Sequence, residues 1–416
     1  MSAIQTITKQ KTQTAVTIKS VKIEKLFEIF DYDIEFADGE NVLIITGPNG
    51  FGKTTILNIL YSLFESEWEY NYSDYAPFPG PFEDFADRPF DFLEKLLFDR
   101  ISISLSDNNV IVIDKVSEKP NLSFTFYNKN RKLTDDELSI KNGSYQFSKT
   151  GYEIINSVEI YLIKEQRLQK KTTIWNKGEY DDYYKTEKHE ESIEFHSEKL
   201  REIFTDFMSQ YNNESQNLDS SFPTRLISEK KIITEEEYNK RFTDLMQKQN
   251  RLIQYGLYES KPITLEYSQT DAKALLVYLN DLEKKLSVFD ELLAKLDLFT
   301  EILNQRRLTF KSIKINRTKG FYFETPKGKK LIPNKLSSGE LHQVILLYEL
   351  IFSTTPNTLV LIDEPEISLH ITWQKEFVKD LLKIIELQNF QVMIATHAPA
   401  IVNDRWDLVY SLAKTI

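Results

Sequence analysis

The chain has 416 residues, a formal net charge of −11, and contents of 41% hydrophobic and 28% charged residues. The length predicts two or three lobes, and the composition is that of an ordinary globular protein, which excludes a disordered or membrane-embedded chain. Because the sequence has no cysteine, disulfides and thiolate metal sites are excluded, and because we find no long apolar run or leader segment, we expect a cytoplasmic protein without a membrane partner.

Residues 14–168 have the pattern of an α/β lobe. β-forming residues dominate 16–36 and predict two strands joined by a turn. The apolar run Val42–Thr46 predicts a strand buried on both faces, and a glycine-rich loop and an apolar helical run follow it. Residues 158–164 predict another strand. The aromatic and proline-rich stretch 68–92 has no regular period; we interpret it as an ordered loop or, alternatively, as a docking surface for a protein.

Residues 169–306 are long, charged and helical in character, and they predict an inserted helical lobe. Residues 234–237 have the form of a capping box that opens a helix. A helix of about 30 residues spans only ~45 Å, which predicts a short coiled-coil stub and not a long arm. Apolar residues with alternating spacings of four and three predict a helix-packing seam, and they are Leu275, Leu279, Leu282, Leu286, Phe289, Leu293 and Leu296.

Residues 307–416 return to an α/β pattern. Two short strands are predicted between 310 and 325, and Thr358–Asp363 and Gln391–Thr396 have the pattern of buried strands. A helical run follows the stretch KLSSGELH at 335–342. We therefore expect that two distant halves of the chain form one sheet around the helical insertion.

The loop Gly47–Thr54 matches the pattern G-x-x-x-x-G-K-[ST] between a predicted strand and a predicted helix, which is the context of a phosphate-binding loop. Its glycines let backbone N–H groups face phosphates, Lys53 supplies a cation to the β- and γ-phosphates, and Thr54 offers a hydroxyl to Mg²⁺. ATP and Mg²⁺ are therefore the predicted cofactors. The predicted nucleotide-binding residues of this region are Asn49, Gly50, Gly52, Lys53, Thr54 and Thr55.

Polar side chains follow three predicted strands. Because side chains alternate along a strand, we assign Asp363 to the Mg²⁺ shell and the adjacent Glu364 to the general base that activates water. His397 ends a strand at the sheet edge where open α/β sheets bind ligands, which favours a γ-phosphate and water contact over a structural role. Gln166 is predicted to coordinate Mg²⁺ or to orient water, with an ordinary polar strand end as the alternative.

The stretch KLSSGELH is a second phosphate-type turn, since a Ser/Gly turn that opens a helix presents backbone N–H groups to an anion. Together, the motifs resemble the head of ABC-type ATPases, in particular the soluble branch that includes SMC and RecF-like proteins and bacterial P-loop ATPases of phage defence. Residues 336–340 resemble the signature motif, 363–370 the Walker B motif and D-loop, and 396–397 the switch histidine. Ser338 and Glu340 stand where transporter signatures usually have glycine and glutamine, and both fit the SMC/RecF-like branch.

The resemblance implies an α/β fold of the ABC-head type and a homodimer that encloses ATP between two heads. In such a dimer, Ser337 and the Gly339 N–H of one head contact the γ-phosphate held by the partner, where the positive end of a helix dipole matches the phosphate charge. ATP closes this dimer and hydrolysis opens it. A higher homo-oligomer built from such dimers stays open as an alternative.

Three functions are compatible with an ATPase of this kind. The first is a sensor or scaffold in bacterial anti-phage defence that controls a separately encoded effector, such as a nuclease. The second is a RecF-like DNA-repair ATPase that clamps DNA through a basic segment, 311–335. The third, a binding module that keeps ATP only as a structural ligand, is disfavoured by Glu364. The basic segment contains Lys311, Lys314, Arg317, Lys319, Lys327, Lys329, Lys330 and Lys335 against one acidic residue, Glu324.

Overall fold

The computed structural model describes residues 16–415 apart from 38, 66–88, 117–121, 130, 138–139, 142–143, 146, 164–168, 178–182, 260–264, 309, 332–335 and 368. The strands are β1 (Ile18–Leu26), β2 (Phe30–Glu35), β3 (Val42–Thr46), β4 (Arg100–Leu105), β5 (Asn109–Lys115), β6 (Leu122–Asn128), β7 (Arg131–Glu137), β8 (Ile140–Lys141), β9 (Ser144–Tyr145), β10 (Glu159–Ile163), β11 (Gln169–Lys177), β12 (Tyr183–Glu191), β13 (Ser312–Asn316), β14 (Gly320–Glu324), β15 (Lys330–Leu331), β16 (Thr358–Asp363), β17 (Gln391–Thr396) and β18 (Val409–Ser411).

The α-helices are α1 (Lys53–Phe64), α2 (Pro89–Lys95), α3 (Lys149–Ile155), α4 (Ser192–Ser228), α5 (Glu235–Gln254), α6 (Ala272–Ser287), α7 (Asp290–Ile302), α8 (Ser338–Tyr348), α9 (Ile371–Gln388) and α10 (Pro399–Val402). Short π-helical segments follow α7 and α8, at Leu303–Arg307 and Glu349–Ser353. Within the described residues, none of the helices combines the length and apolar character that crossing a bilayer requires.

A five-stranded parallel sheet, in the order β10-β16-β17-β3-β18, is the centre of the molecule. Its strands come from both ends of the chain, so the prediction that two distant halves form one sheet is confirmed. A six-stranded antiparallel sheet, in the order β2-β1-β4-β5-β6-β7, lies beside it. The side-chain amide of Gln391 in β17 joins the two sheets, because it exchanges two hydrogen bonds with the backbone of Ile18 in β1.

Side chains of the parallel sheet alternate between two cores. In β3, Val42 and Ile44 face a core shared with α4 to α9, whereas Leu43 and Ile45 face a core shared with α1 and the antiparallel sheet. The strands β16 and β17 alternate in the same way. Strands covered on both faces have continuous apolar sequences, which explains why these runs could be recognised in the sequence.

The predicted insertion does not begin as a helix. Residues 169–191 form an antiparallel hairpin, β11 and β12, and α4 starts directly after it, so the prediction of helical structure from residue 169 was wrong for this stretch. The hairpin sequences are rich in charged residues and lack an apolar alternation, so they give no strand signal. The two strands are held together by backbone hydrogen bonds. Beyond the hairpin, α4 to α7 form the expected helical lobe, in which α6 packs against α4 and α5.

The predicted seam is buried along its whole length, but it belongs to two helices. All seven seam residues are less than 7% exposed. The helix ends at Ser287 and restarts at Asp290. The Ser287 hydroxyl donates to the Lys284 carbonyl, a local bond that competes with the helix, and Phe289 is the N-cap residue of α7. The prediction of a single helix of about 30 residues was therefore wrong, whereas the prediction that the seam packs in a core is confirmed.

Two other sequence predictions change in detail. Thr234 accepts a hydrogen bond from the Glu237 N–H at the start of α5, which is one half of the predicted capping box. Most of the aromatic stretch 68–92 lies outside the described residues, and its last part is the start of α2 and not a loop.

Candidate nucleotide site

The phosphate loop connects the end of β3 to the start of α1, as the motif predicts. Gly50 and Gly52 have φ angles of 87° and 85°, a region that favours glycine. A Cβ atom at Gly52 would lie 3.0 Å from Leu26 Cδ2, so a side chain does not fit at this turn. Asn49 and Gly50 are exposed and Thr55 is half-buried. The loop therefore offers backbone N–H groups on its open side, which suits a polyphosphate.

Lys53 is the first residue of α1 and is buried. Its Nζ donates to the Gly47 and Pro48 carbonyls over 2.8 and 3.2 Å. These bonds hold the ammonium group across the mouth of the loop, where the γ- and β-phosphates of a nucleotide are contacted in phosphate-loop proteins. Because a phosphate oxygen is a stronger acceptor than a carbonyl, the side chain can exchange these partners when a nucleotide binds.

Thr54 and Asp363 meet across the parallel sheet. The Thr54 hydroxyl donates to Asp363 Oδ1 over 3.1 Å. The Asp363 carboxylate lies at the end of β16, beside the loop that follows β3. Two oxygen ligands at this separation fit Mg²⁺, which binds few protein carboxylates and completes its shell with phosphates and water. Among the described residues, no group of three His, Asp or Glu side chains could hold a metal ion without such additional ligands.

Glu364 and His397 are close together at the same edge of the sheet. His397 Nδ1 lies 3.4 Å from Glu364 Oε1. Glu364 has a φ angle of 44°, and its N–H donates to the Ala395 carbonyl. A non-glycine residue in this region is strained and is typical of functional turns. The proposed general base and the proposed switch histidine are therefore in direct contact, and both side chains are partly exposed.

Glu366 is a member of this site that the sequence analysis missed. One of its oxygens, Oε1, accepts hydrogen bonds from the Thr396 hydroxyl over 2.6 Å and the His397 N–H over 3.0 Å, and it lies 3.1 Å from His397 Nδ1. Its other oxygen, Oε2, is buried and makes no hydrogen bond within the described residues. A buried acid two residues after a catalytic carboxylate is a weak sequence signal.

Residues 336–340, which resemble the signature motif and are called the signature turn below, lead into α8 and include its N-cap residue, Ser337. Ser337 is exposed, and its hydroxyl accepts from the Glu340 N–H while the Glu340 carboxylate accepts from the Ser337 N–H, so a complete capping box is present. Gly339 is buried in the first turn of the helix. The predicted helix N-terminus at this stretch is confirmed, and the exposed face of the turn is available to an anion.

The phosphate loop and the signature turn belong to helices on opposite faces of the parallel sheet. The apolar side of α1 packs in the core that contains the antiparallel sheet, and the apolar side of α8 packs in the core that contains the helical lobe. A sheet therefore separates the two helices within one chain. Of the remaining predicted site residues, Gln166 lies outside the described residues.

Tyr32, in β2, is buried beside the phosphate loop. Its hydroxyl donates to the Phe51 carbonyl in the phosphate loop over 2.8 Å. Burial and, to a smaller extent, the nearby Tyr410 together raise the pKa of Tyr32 to about 12. Tyr32 therefore packs in the core and holds the phosphate loop through its hydroxyl.

The family model of the AAA ATPase domain matches residues 17–402. The chain belongs to this family. The match spans all of the motifs described above, and together with the topology it confirms the predicted α/β P-loop ATPase head with an inserted helical lobe. No curated protein matches the sequence of this AAA ATPase domain protein.

Several SMC head domains are similar in structure to this ATPase-family chain, at low sequence identity. One, from Pyrococcus furiosus with an extended coiled coil and bound to the C-terminal domain of ScpA, is 14% identical, with a TM-score of 0.39 and coverage of 93% of this chain and 91% of that one. The head domain from Thermotoga maritima is 13% identical, with a TM-score of 0.33 and coverage of 95% and 94%. A head bound to the C-terminal winged-helix domain of ScpA is 12% identical, with a TM-score of 0.41 and coverage of 92% and 91%.

Replacing Glu366 with glutamine tests its role in the site of this ATPase-family chain. Glutamine keeps an oxygen for Thr396 and the His397 N–H but removes the charge that faces His397 Nδ1. Charge-assisted hydrogen bonds exceed neutral ones by about 1 kcal/mol, so we expect kcat for ATP hydrolysis to fall roughly fivefold to tenfold with a smaller change in KM. Steady-state ATP hydrolysis measures both constants. Glu386→Gln, at an exposed position of α9, is the control, and an unchanged kcat for Glu366→Gln would contradict the assignment.

Proposed function

We propose that this protein hydrolyses ATP in a homodimer in which the signature turn of each head covers the ATP held by the phosphate loop of the other. The observation that carries the proposal is the placement of α1 and α8 on opposite faces of the parallel sheet. One chain presents a phosphate loop and a signature turn in two separate places, and two such chains, arranged head to tail about a two-fold axis, can complete each other's site.

The residues at the site have separate tasks in this reaction. Bound Mg²⁺ would neutralise phosphate charge, with Thr54 and Asp363 as its protein ligands. Lys53 binds the phosphates, and Ser337 and the Gly339 N–H orient the γ-phosphate from the partner head. Glu364 accepts a proton from the attacking water at its carboxylate, and His397, 3.4 Å from that carboxylate, orients the water and the γ-phosphate.

Dimerisation that depends on ATP is the direct test of this proposal. Sedimentation velocity of the purified chain with Mg²⁺ and a non-hydrolysable ATP analogue should show a dimer, whereas the same chain with ADP should be monomeric. The reason is that the helix N-terminus of the signature turn loses its anionic partner when the γ-phosphate leaves. A chain that hydrolyses ATP at full rate as a monomer at every concentration would overturn the proposal.

The biological role that we propose is a sensor and scaffold in bacterial anti-phage defence, whose closed dimer controls a separately encoded effector such as a nuclease. The resemblance of the motifs to defence ATPases supports this role. Expression of the chain with the products of its neighbouring genes should lower phage plating, and Lys53→Ala should restore plating. Equal plating with the wild type and with Lys53→Ala would contradict a defence role but would leave ATP-dependent dimerisation untouched.

The second candidate function is DNA clamping through the three-stranded sheet β13–β15. The Lys319 and Lys330 ammonium groups lie 5.5 and 5.2 Å from the centre of one ring, that of Tyr322. The close approach of the Lys330 ammonium group and its like charge lower the pKa of Lys319 below its usual value. Two crowded cations favour an anion such as a DNA phosphate, and an aromatic ring beside them can contact a base.

Charge reversal separates this candidate from the first. Lys327, Lys329 and Lys330 are exposed, and replacing all three with glutamate should abolish binding of a duplex oligonucleotide at low salt. The matched control replaces three exposed lysines of the helical lobe, Lys230, Lys231 and Lys240. Fluorescence anisotropy measures the affinity, and wild-type affinity in the first variant, or no binding by the wild type, would exclude DNA clamping through this sheet.

A further inference from the structure

The carboxylate of Glu340 accepts three hydrogen bonds, two from Ser337 and one from Lys311. Its Oε2 atom accepts hydrogen bonds from the Ser337 N–H over 2.7 Å, from the Ser337 hydroxyl over 3.0 Å and from Lys311 Nζ over 2.7 Å. Glu340 is only 7% exposed. In this arrangement the hydroxyl hydrogen of Ser337 points back into its own chain and not towards solvent.

The negative charge of Glu340 disfavours the binding of the partner's γ-phosphate at the signature turn. The partner's γ-phosphate is an anion, and it would approach within the same turn as the Glu340 carboxylate. Like charges at short range and low dielectric repel strongly. Transporter signatures usually have a neutral glutamine at this position, so the charge that has to be compensated in this chain is absent from them.

Lys311 supplies that compensation from a distant element. It precedes β13 and pairs with Glu340 as a half-buried ion pair. Burial raises the pKa of Glu340, but the hydrogen bonds from Lys311 and from Ser337 outweigh it and hold the pKa below its usual value. Glu340 therefore remains ionised. Within the described part of the basic segment, Lys311 thus contacts the signature turn, whereas Lys314, three residues later in β13, is exposed.

We infer that Lys311 is a positioning residue for the signature serine, which neutralises Glu340 so that the Ser337 hydroxyl can turn to an anionic phosphate of a second copy of this chain. When the hydroxyl turns, Glu340 Oε2 keeps the Ser337 N–H and Lys311 as partners, so no buried charge is left alone. The inference rests on the proposed dimer with the signature turn in trans. It links the residue that precedes β13 to ATP-dependent closure of the dimer.

The test compares dimer dissociation constants by sedimentation velocity with Mg²⁺ and a non-hydrolysable ATP analogue. Lys311→Ala leaves a buried, uncompensated carboxylate beside the docking phosphate, and it should weaken dimerisation at least about tenfold. Lys311→Arg keeps the charge and should dimerise nearly as the wild type does. Lys314→Ala removes an equal charge three residues away, in β13, at an exposed position, and serves as the matched control.

Removing the charge of Glu340 as well distinguishes repulsion from a packing defect. If repulsion by Glu340 causes the defect, then the double variant Lys311→Ala, Glu340→Gln should dimerise within about threefold of Glu340→Gln alone, because the two positions couple. A general packing defect at Lys311 would not be rescued in this way. Wild-type dimerisation of Lys311→Ala, or a double variant as weak as Lys311→Ala, overturns the inference. A wild-type chain that does not dimerise with the analogue overturns the proposed function instead.

Discussion

Glu364→Gln is expected to lower the rate of ATP hydrolysis roughly a hundredfold to ten-thousandfold, which is the range for the loss of a general base. Glutamine has the same size as glutamate but cannot take a proton from the attacking water. ATP binding should persist, because Lys53, Thr54 and the loop N–H groups are unchanged. With ATP bound and not hydrolysed, the closed dimer should accumulate in the presence of Mg²⁺ and ATP itself, as size-exclusion chromatography with light scattering would show.

A control variant shows whether this dimer depends on ATP. Adding Lys53→Ala to Glu364→Gln removes the cation that the phosphate loop offers to the nucleotide, and the doubly substituted chain should remain monomeric with ATP. The assignment of Glu364 is incorrect if the single variant hydrolyses ATP at the wild-type rate. It is also incorrect if the dimer forms equally well in the double variant.

Ser337→Arg is expected to leave ATP binding almost unchanged and to lower hydrolysis at least about a hundredfold, the scale for loss of an electrostatic contact to the reacting group. The position is exposed, so arginine can be accommodated in the single chain. Loss of the N-cap costs about 1 kcal/mol, which α8 can tolerate because its other face is buried. In the dimer, however, the long side chain occupies the place of the partner's phosphate.

Two measurements on one preparation separate these effects. Equilibrium binding of a fluorescent ATP analogue reports the phosphate loop, and phosphate release reports the assembled site. Ser337→Thr, which keeps both the hydroxyl and the helix cap, is the control and should retain most of the activity. Weak ATP binding by Ser337→Arg would show that the signature turn serves the site of its own chain.

Much of this architecture follows from local sequence. The apolar strands β3, β16 and β17, the loop Gly47–Thr54 and the capped start of α8 each have a pattern that a few neighbouring residues define. The pairing of Thr54 with Asp363, over 3.1 Å, also follows, because the carboxyl ends of parallel strands meet at one edge of a sheet. The family match supports the ATPase assignment that these patterns indicate.

Other features depend on contacts that no local pattern records. The hairpin β11–β12 has a largely polar sequence without an apolar alternation, and its two strands pair through their backbones. The break after Ser287 interrupts a leucine seam whose spacing continues unchanged. Glu366 becomes a part of the site only where β17 brings Thr396 and His397 beside it. Lys311 was grouped with basic residues for DNA, and its partner Glu340 becomes evident only when β13 and α8 are packed together.

Mixing two inactive variants tests the central claim, that the two halves of one ATP site come from different chains. Lys53→Ala lacks a working phosphate loop but has an intact signature turn, and Ser337→Arg has the opposite defect. In a heterodimer one site is intact, so an equal mixture should recover roughly a quarter of the wild-type rate of ATP hydrolysis if the subunits of a two-fold dimer combine at random. A mixture whose rate equals the sum of the two separate variants at every concentration would contradict the account.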